Sequence, residues 1–84
     1  MKFNVAVDLC TQGNYKEAFD MFFECDLTDM EVQYWIGYMY LEGLGVEQDR
    51  NKGETWLLKS AQQGDSSAQL MLGVIYREIG RASL

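Results

Sequence analysis

The stretch VQYWIGYMY at residues 32–40 returns as AQLMLGVIY at residues 68–76, thirty-six residues further along the chain. The identical residues are Gln33, Gly37 and Tyr40 in the first copy and Gln69, Gly73 and Tyr76 in the second. A period of this size is typical of helical solenoids, whose stacked helix pairs usually hold a partner rather than transform one. The repeat predicts an all-α fold, a short solenoid of antiparallel helix pairs that forms a superhelix.

Five segments of the chain carry apolar side chains at three- and four-residue spacing, which is typical of amphipathic helices. The chain has no proline, so glycine and polar turn residues must separate these segments. We expect about five helices and no strand, with ends near residues 12, 25, 42, 63 and 79. The predicted N-caps are Asn14, Thr28 or Asp29, Asp49 and Ser66, and Gly64 is expected to end the fourth helix.

Gly37 and Gly73 lie in the middle of their predicted helices, where a glycine costs about 1 kcal/mol relative to alanine. Close packing of a neighbouring helix, at a distance that leaves no room for a Cβ atom, would offset this cost at each of the two glycines. Such contact predicts tight antiparallel packing, with the repeated tyrosines three residues further along on the same face. Small residues available on the opposing helices are Ala18, Gly53 and Ala61.

The repeat also fits a longer pattern of small, aromatic and acidic residues. Its first part is carried by Val32, Ile36, Gly37, Tyr40, Gly43, Gly45, Val46 and Asp49. Its second part is carried by Lys52, Trp56, Ala61 and Gly64, and the next unit begins with Ala68, Leu72, Gly73 and Tyr76. Over about residues 29–79 the chain resembles the Sel1-like repeat family, a relative of the tetratricopeptide repeat.

The resemblance implies one domain of three parts. Residues 1–28 resemble a tetratricopeptide helix pair with Ala18 at a repeat position, residues 29–64 a Sel1-like repeat, and residues 65–84 a half repeat. Gly53 and Ser60 stand where the family has alanine, which predicts a weaker fourth helix. The last helix is expected to cap the array, with Arg77, Glu78 and Arg81 on its outward face, or to pair with another copy.

In repeats of this family the first helix of each pair lines a concave groove. The implied protein-binding residues are Tyr34, Tyr38, Leu41, Leu70, Val74 and Arg77, and the wider set adds Phe3, Val7, Cys10, Glu31 and Ser67. An aromatic stripe at helical spacing more often belongs to the core than to a binding site. We therefore expect Phe19, Phe22, Tyr40, Trp56 and Tyr76 to be buried, whereas for Tyr34 and Tyr38 burial in the core and exposure in the groove are equally expected. Trp35 either fills space against the preceding unit or stands exposed at an interface.

Composition argues against several classes of function. Thirteen acidic residues against seven basic ones give a net charge of −6, which disfavours nucleic acids and anionic membranes. The chain has no histidine, and Cys10 and Cys25 form no metal-ligand pattern. No apolar run approaches the roughly 18 residues that span a bilayer. We therefore predict a cytoplasmic, non-catalytic protein without cofactor or metal.

Two local features leave alternatives open. The glycine-rich loop at residues 43–49 lacks the lysine and hydroxyl residue of a phosphate-binding loop, so a structural turn with Val46 between helices is favoured. The acidic cluster at the second turn is either solvated surface or a site for a basic partner. Its members are Glu24, Asp26, Asp29 and Glu31.

The sequence predicts a protein or peptide partner and leaves three functional hypotheses. The first is an adaptor or scaffold module that binds a protein segment in its groove. The second is an acidic inhibitor or immunity-type protein that blocks a toxin or enzyme, helped by electrostatic steering. The third is a homodimer formed through the C-terminal helix.

Overall fold

Aspartate carboxylates cap the N-terminal ends of three of the helices. The Asp29 carboxylate accepts a hydrogen bond from the Glu31 amide at 2.8 Å, and the Asp49 carboxylate accepts one from the Lys52 amide at 3.0 Å. Each bond satisfies one of the amides that a helix leaves free at its first turn, which stabilises the helix by about 1 kcal/mol. The predicted caps at Asp29 and Asp49 are confirmed.

Of the other two predicted caps, the one at Ser66 is wrong and the one at Asn14 is confirmed in position only. Asp65 rather than Ser66 caps the last helix, because its carboxylate accepts hydrogen bonds from two amides of the first turn, at 2.9 and 3.2 Å, while Ser66 is already helical. Asn14 occupies the N-cap position of α2 as predicted, but its side chain makes no capping bond and instead donates to the Gln12 side chain at 3.4 Å.

Helices account for the architecture of the part of the chain that this computed structural model describes, which is the backbone of residues 2–83 and the side chains of residues 2–78. They are α1 (Lys2–Thr11), α2 (Tyr15–Phe22), α3 (Met30–Glu42), α4 (Arg50–Gln62) and α5 (Ser66–Ser83). The described backbone contains no strand, so the all-α prediction is confirmed. No helix within these residues is long and apolar enough to cross a membrane.

Two helix ends differ from the prediction. α2 stops at Phe22, and the next residues continue as a tighter turn in which the amides of Glu24 and Cys25 bond to carbonyls three residues back. α5 runs through Gly80 to Ser83 instead of ending near Ile79. A single glycine weakens a helix by about 1 kcal/mol but does not by itself end it.

The α3–α4 pair is held together by glycine packed on glycine. A Cβ atom on Gly37 would lie 2.9 Å from the Gly53 carbonyl oxygen and 2.9 Å from Leu57 Cγ. A Cβ atom on Gly53 would in turn lie 2.9 Å from the Gly37 carbonyl oxygen. The two backbones are therefore closer than any side chain allows, and the predicted glycine contact is confirmed at Gly37.

The same prediction is wrong at Gly73. This glycine is exposed, and a Cβ atom there would meet nothing within 4 Å. Tyr76, predicted to be buried, is 47% exposed. The reason is that α5 packs against α4 through its opposite side, so among residues 2–83 no helix covers α5 as α4 covers α3. The α5 residues on that packed side are Ala68, Leu72 and Ile75.

Two hydrophobic clusters fill the interior. The first joins α1, α2 and α3 and contains Ala6, Cys10, Ala18, Phe19, Phe22, Val32, Ile36 and Met39. The second joins α4 and α5 and contains Leu57, Ala68, Leu72 and Ile75, with Tyr34, Leu41, Ala61 and Met71 packed against it. Burial of Phe19 and Phe22 is confirmed, whereas Tyr40 and Trp56 are only half-buried at the edge of the first cluster. A stacked repeat protein buries its apolar side chains between neighbouring helix pairs in this way.

Two buried polar side chains, Gln33 and Ser60, take part in hydrogen bonds that connect the ends of α3 and α4. The Ser60 hydroxyl donates to the Met30 carbonyl at 2.7 Å, a bond that the alanine expected from the family pattern cannot make. The Gln63 amide donates to the Gln33 side chain at 2.8 Å, and Gln33 donates to the Leu27 carbonyl at 2.9 Å. These bonds connect the turns before α3 and after α4, so α4 gains stability that its helix propensity does not indicate.

The loop at residues 43–49 has a structural role. Gly43 and Gly45 both have positive φ angles, of 69° and 71°. A Cβ atom on Gly45 would also overlap the Tyr15 carbonyl group, so only glycine lets this loop meet the start of α2. Val46 is half-buried against the first cluster, as predicted.

The two repeated glycines should respond oppositely to alanine. Gly37→Ala should lower the free energy of unfolding by about 1 to 2 kcal/mol, because the new methyl group meets backbone on α4. Gly73→Ala should raise it by about 0.5 to 1 kcal/mol, because the site is open and alanine favours the helix. Urea denaturation followed by circular dichroism measures both, and shifts of the same sign would contradict the packing described here.

Candidate functional site

One side of α3 carries three aromatic side chains that the core does not enclose. Tyr34, Trp35 and Tyr38 are all half-buried, and we call them the aromatic face. The Tyr34 and Tyr38 rings lie parallel with centroids 6.3 Å apart. The Trp35 ring stands edge-on to both, at centroid distances of 6.1 and 6.3 Å. The three rings support one another, so the surface they form is largely preorganised.

Trp35 sits at the centre of this site, and sequence analysis left its role open. Its indole ring stacks on Phe22 of α2, with centroids 5.6 Å apart and planes 12° from parallel. The residue therefore fills space against the preceding helix pair. It also lines two surface clefts, one on each side of α3. The first alternative is therefore confirmed, whereas a role of Trp35 at an interface stays a prediction. The signal in the sequence was an aromatic residue where the family pattern has a small polar one.

A cleft of about 210 Å³ separates the aromatic face from α1 and the loop after α3. Trp35 and Tyr38 form one wall, and Cys10, Thr11 and Leu44 belong to the opposite side. The lining is mainly apolar, and its size suits one aliphatic or aromatic side chain of a partner. The predicted groove position Cys10 lies here.

A second cleft, of about 350 Å³, lies between the start of α3 and the α4–α5 turn. Tyr34 and Trp35 line it together with Glu31, Asp65 and Ser67. Its two carboxylates make this end of the site acidic. The predicted groove positions Glu31 and Ser67 both belong to this cleft.

Basic side chains lie away from these two clefts. No lysine or arginine is among the described residues that line them. The Lys52 ammonium lies 5.7 Å from the centroid of the Tyr40 ring, and Lys59 lies 4.6 Å from that of Trp56. Arg50 pairs with Glu78 at 3.8 Å. The aromatic face therefore has an acidic border at the second cleft, where Glu31 and Asp65 lie.

The predicted groove residues do not all lie together. Tyr34 and Tyr38 form the aromatic face, whereas the Leu41 side chain packs on Gly53 within the α3–α4 contact. Leu70, Val74 and Arg77 are exposed on α5 and line neither cleft.

A third cleft, of about 450 Å³, lies between the start of α1 and the α2–α3 turn. It contains much of the acidic cluster and the predicted groove position Phe3, whose ring contacts Phe22 edge-on. The Asp26 carboxylate accepts hydrogen bonds from the amide and hydroxyl of Thr28, and Glu24 pairs with Lys2 at 3.3 Å. These carboxylates stabilise the turn itself.

The site offers little for metal binding. Among the described residues, no group of three or more histidine, cysteine, aspartate or glutamate side chains is placed to hold a metal ion. Cys10 and Cys25 are both free thiols, and burial raises the pKa of each, which disfavours the reactive thiolate.

Comparison with known proteins identifies relatives for more than half of the chain. A family model described as Sel1 repeat matches residues 31–65 and 66–78. A putative sel1-like repeat-containing protein, L21 of Acanthamoeba polyphaga mimivirus, is 46% identical over 48 residues. That match covers 57% of this chain but only 9% of the length of the viral protein. No solved structure matches the chain significantly.

Tyr34 should ionise at higher pH than an ordinary tyrosine. Burial raises the pKa of its hydroxyl, and the neighbouring Tyr38 and Asp65 raise it further. The stabilisation from the neutral hydroxyl is complete below the unfolded-state pKa of about 10 and is lost as the pH rises through the folded-state pKa. Ultraviolet titration of tyrosinate measures this ionisation, and Tyr34→Phe should remove a component that titrates above the ordinary tyrosine pKa of about 10. If Tyr34→Phe instead removed a component that titrates at or below the ordinary tyrosine pKa, the partly buried environment described for the Tyr34 hydroxyl would be contradicted.

Proposed function

Because the chain belongs to the Sel1 repeat family, we propose that it is a small adaptor or scaffold module that binds a peptide or protein segment along the aromatic face. Sel1 repeats generally mediate protein–protein interactions and are typically non-catalytic. The observation that carries the proposal is that Tyr34, Trp35 and Tyr38 form one contiguous, partly exposed cluster of rings between two clefts.

The chemistry of the aromatic face suits such binding. Tyrosine and tryptophan combine a large apolar area with a polar group and lose few rotamers on docking, which is why they are enriched at interaction hot spots. Trp35 is already held by Phe22, and Tyr34 by Tyr38, so little ordering remains when a partner arrives. Preorganisation of this kind lowers the entropic cost of association.

The two clefts define the partner segment that we propose. An aliphatic or aromatic side chain would enter the cleft between Trp35, Tyr38 and Leu44. A lysine or arginine further along the same segment would reach Glu31 and Asp65 in the second cleft. We therefore infer a segment that combines an apolar anchor with a basic residue, and the net charge of −6 favours its approach.

The competing hypothesis, an acidic inhibitor that captures a basic toxin or enzyme, makes a different use of charge. It relies on steering by the net charge of −6 rather than on burial of an aromatic surface. Groove binding depends mainly on aromatic burial and should change modestly with ionic strength. Capture led by charge should lose association rate steeply as salt increases.

Peptide selection followed by fluorescence titration tests the proposal. Peptides selected on the wild-type protein from a random displayed library should contain an apolar anchor and a basic residue. In a Trp56→Phe background, Trp35 is the single tryptophan and reports binding directly. Tyr38→Ala should weaken binding of a selected peptide at least about tenfold, the effect of losing one hot-spot side chain.

A matched control uses the same change elsewhere. Tyr76→Ala alters an exposed tyrosine on α5 and should leave peptide affinity unchanged. Circular dichroism should show that both variants stay folded. Equal affinities for Tyr38→Ala and wild type would contradict the proposed site, and an association rate that collapses at high salt would favour the inhibitor instead.

A further inference from the structure

A second aromatic surface lies where α4 meets the end of α2. Four rings contact one another in a row, with successive centroids 5.1, 5.2 and 5.7 Å apart. In order along the row they are Tyr40, Phe19, Phe23 and Trp56. Phe19 is buried, whereas Phe23 is 38% exposed and the two end members are half-buried. The row therefore presents parts of three rings to solvent, and none of them lines the two clefts beside the aromatic face.

A lysine lies at each end of this row. The Lys52 ammonium is 5.7 Å from the centroid of the Tyr40 ring, and the Lys59 ammonium is 4.6 Å from that of the Trp56 ring. Both lysines are exposed, and neither lies within 4 Å of a carboxylate oxygen among the described residues. An ammonium over a ring face still has hydrogen-bond donors for a further partner. We call these four residues and Phe23 the lysine-flanked face.

The helices that build this face leave it locally positive. Glu54 is the single acidic residue of α4 and lies two residues from Lys52, so it points to a different side of the helix. On α2, the Asp20 carboxylate lies 3.9 Å from the Lys16 ammonium, which balances its charge. Charges further away than about 8 Å are largely screened at physiological salt, so the net charge of −6 acts weakly here.

The two ends of the lysine-flanked face differ in their surroundings. Glu47 and Asp49 line a cleft of about 350 Å³ together with Lys52, so carboxylates already lie near that end. At the other end, the side chains three and four residues before and after Lys59 are all uncharged. We therefore expect Lys59 to attract an anionic group more strongly than Lys52 does.

We infer that the lysine-flanked face binds an acidic amphipathic helix of another protein. The two lysines are seven residues apart on α4, which separates them by about 10 Å along the helix. A partner helix that lies along α4 and carries two acidic residues seven positions apart has the same spacing. Apolar residues three and four positions after the first acidic one would then cover the exposed parts of Phe23 and Trp56. Partner carboxylates at both lysines would fix the register of the helix.

This surface and the aromatic face accept partners of opposite charge. The segment proposed for the aromatic face carries a basic residue, whereas the helix inferred here is acidic. The two surfaces share no residue, so one chain can bind both partners at once, as a scaffold does. Failure of either proposal leaves the other standing.

Fluorescence titration with a synthetic helical peptide tests the inference. The probe is an alanine-based helix with two glutamates seven positions apart and leucines three and four positions after the first. In a Trp35→Phe background, Trp56 is the single tryptophan and reports binding directly. Lys59→Gln should weaken binding about two- to fivefold, and Lys52→Gln should weaken it less. Phe23→Ala should weaken it about tenfold, because the apolar contact is lost.

Matched controls use the same loss of charge on the protein and on the probe. Arg77→Gln removes a positive charge from an exposed position of α5 and should leave the affinity unchanged. A probe with glutamines in place of both glutamates should bind more weakly, and its affinity should no longer respond to Lys59→Gln. Circular dichroism should show that every variant stays folded. The lysine variants keep the test decisive if Phe23→Ala does not fold.

Three results would overturn the inference. The first is the absence of binding at millimolar probe. The second is an affinity that Lys52→Gln, Lys59→Gln and Phe23→Ala all leave unchanged. The third is a loss of affinity in Tyr38→Ala as large as that in Phe23→Ala, because the probe would then occupy the aromatic face.

Discussion

The contact between Gly37 and Gly53 determines the geometry on which the rest of the structure depends. Each glycine occupies the space that a side chain on the other would need, with the carbonyl oxygen of one helix 2.9 Å from the missing Cβ of the other. Backbones this close fix the rotation of α3 about its own axis. Because α3 cannot turn, Val32, Ile36 and Met39 must face α1 and α2, and the aromatic face must remain at the surface.

The same constraint explains how a short chain combines stability with a partly exposed aromatic surface, the proposed binding site. The α3–α4 contact uses backbone atoms and two polar connections, the buried Ser60 hydroxyl and the Gln63–Gln33 hydrogen bond, rather than large aromatic side chains. Aromatic residues are then free to build the first cluster and the aromatic face. Phe22 serves both, since it lies in the core and supports Trp35 from below. The proposed site is therefore supported by the core and needs no separate scaffold.

Sequence reasoning predicted what the repeat period and local capping determine. It identified the five helices, the Gly37 contact and the caps at Asp29 and Asp49, because these follow from patterns within a few residues or within one repeat. It failed at Gly73, since identity with Gly37 does not specify whether a following helix covers the position. It also misplaced Leu41 and left Trp35 open, because their neighbours belong to other helices and depend on how the pairs stack.

The account rests on close backbone contact between α3 and α4, and nuclear Overhauser effects measure it most directly. In isotope-labelled protein, the Gly37 α protons should show strong effects to the Leu57 methyl groups, and the Gly53 α protons to the Leu41 methyl groups. Both sets are expected because each leucine side chain lies beside the missing Cβ of the facing glycine. Absence of both sets in the folded protein would contradict the glycine contact and the geometry derived from it.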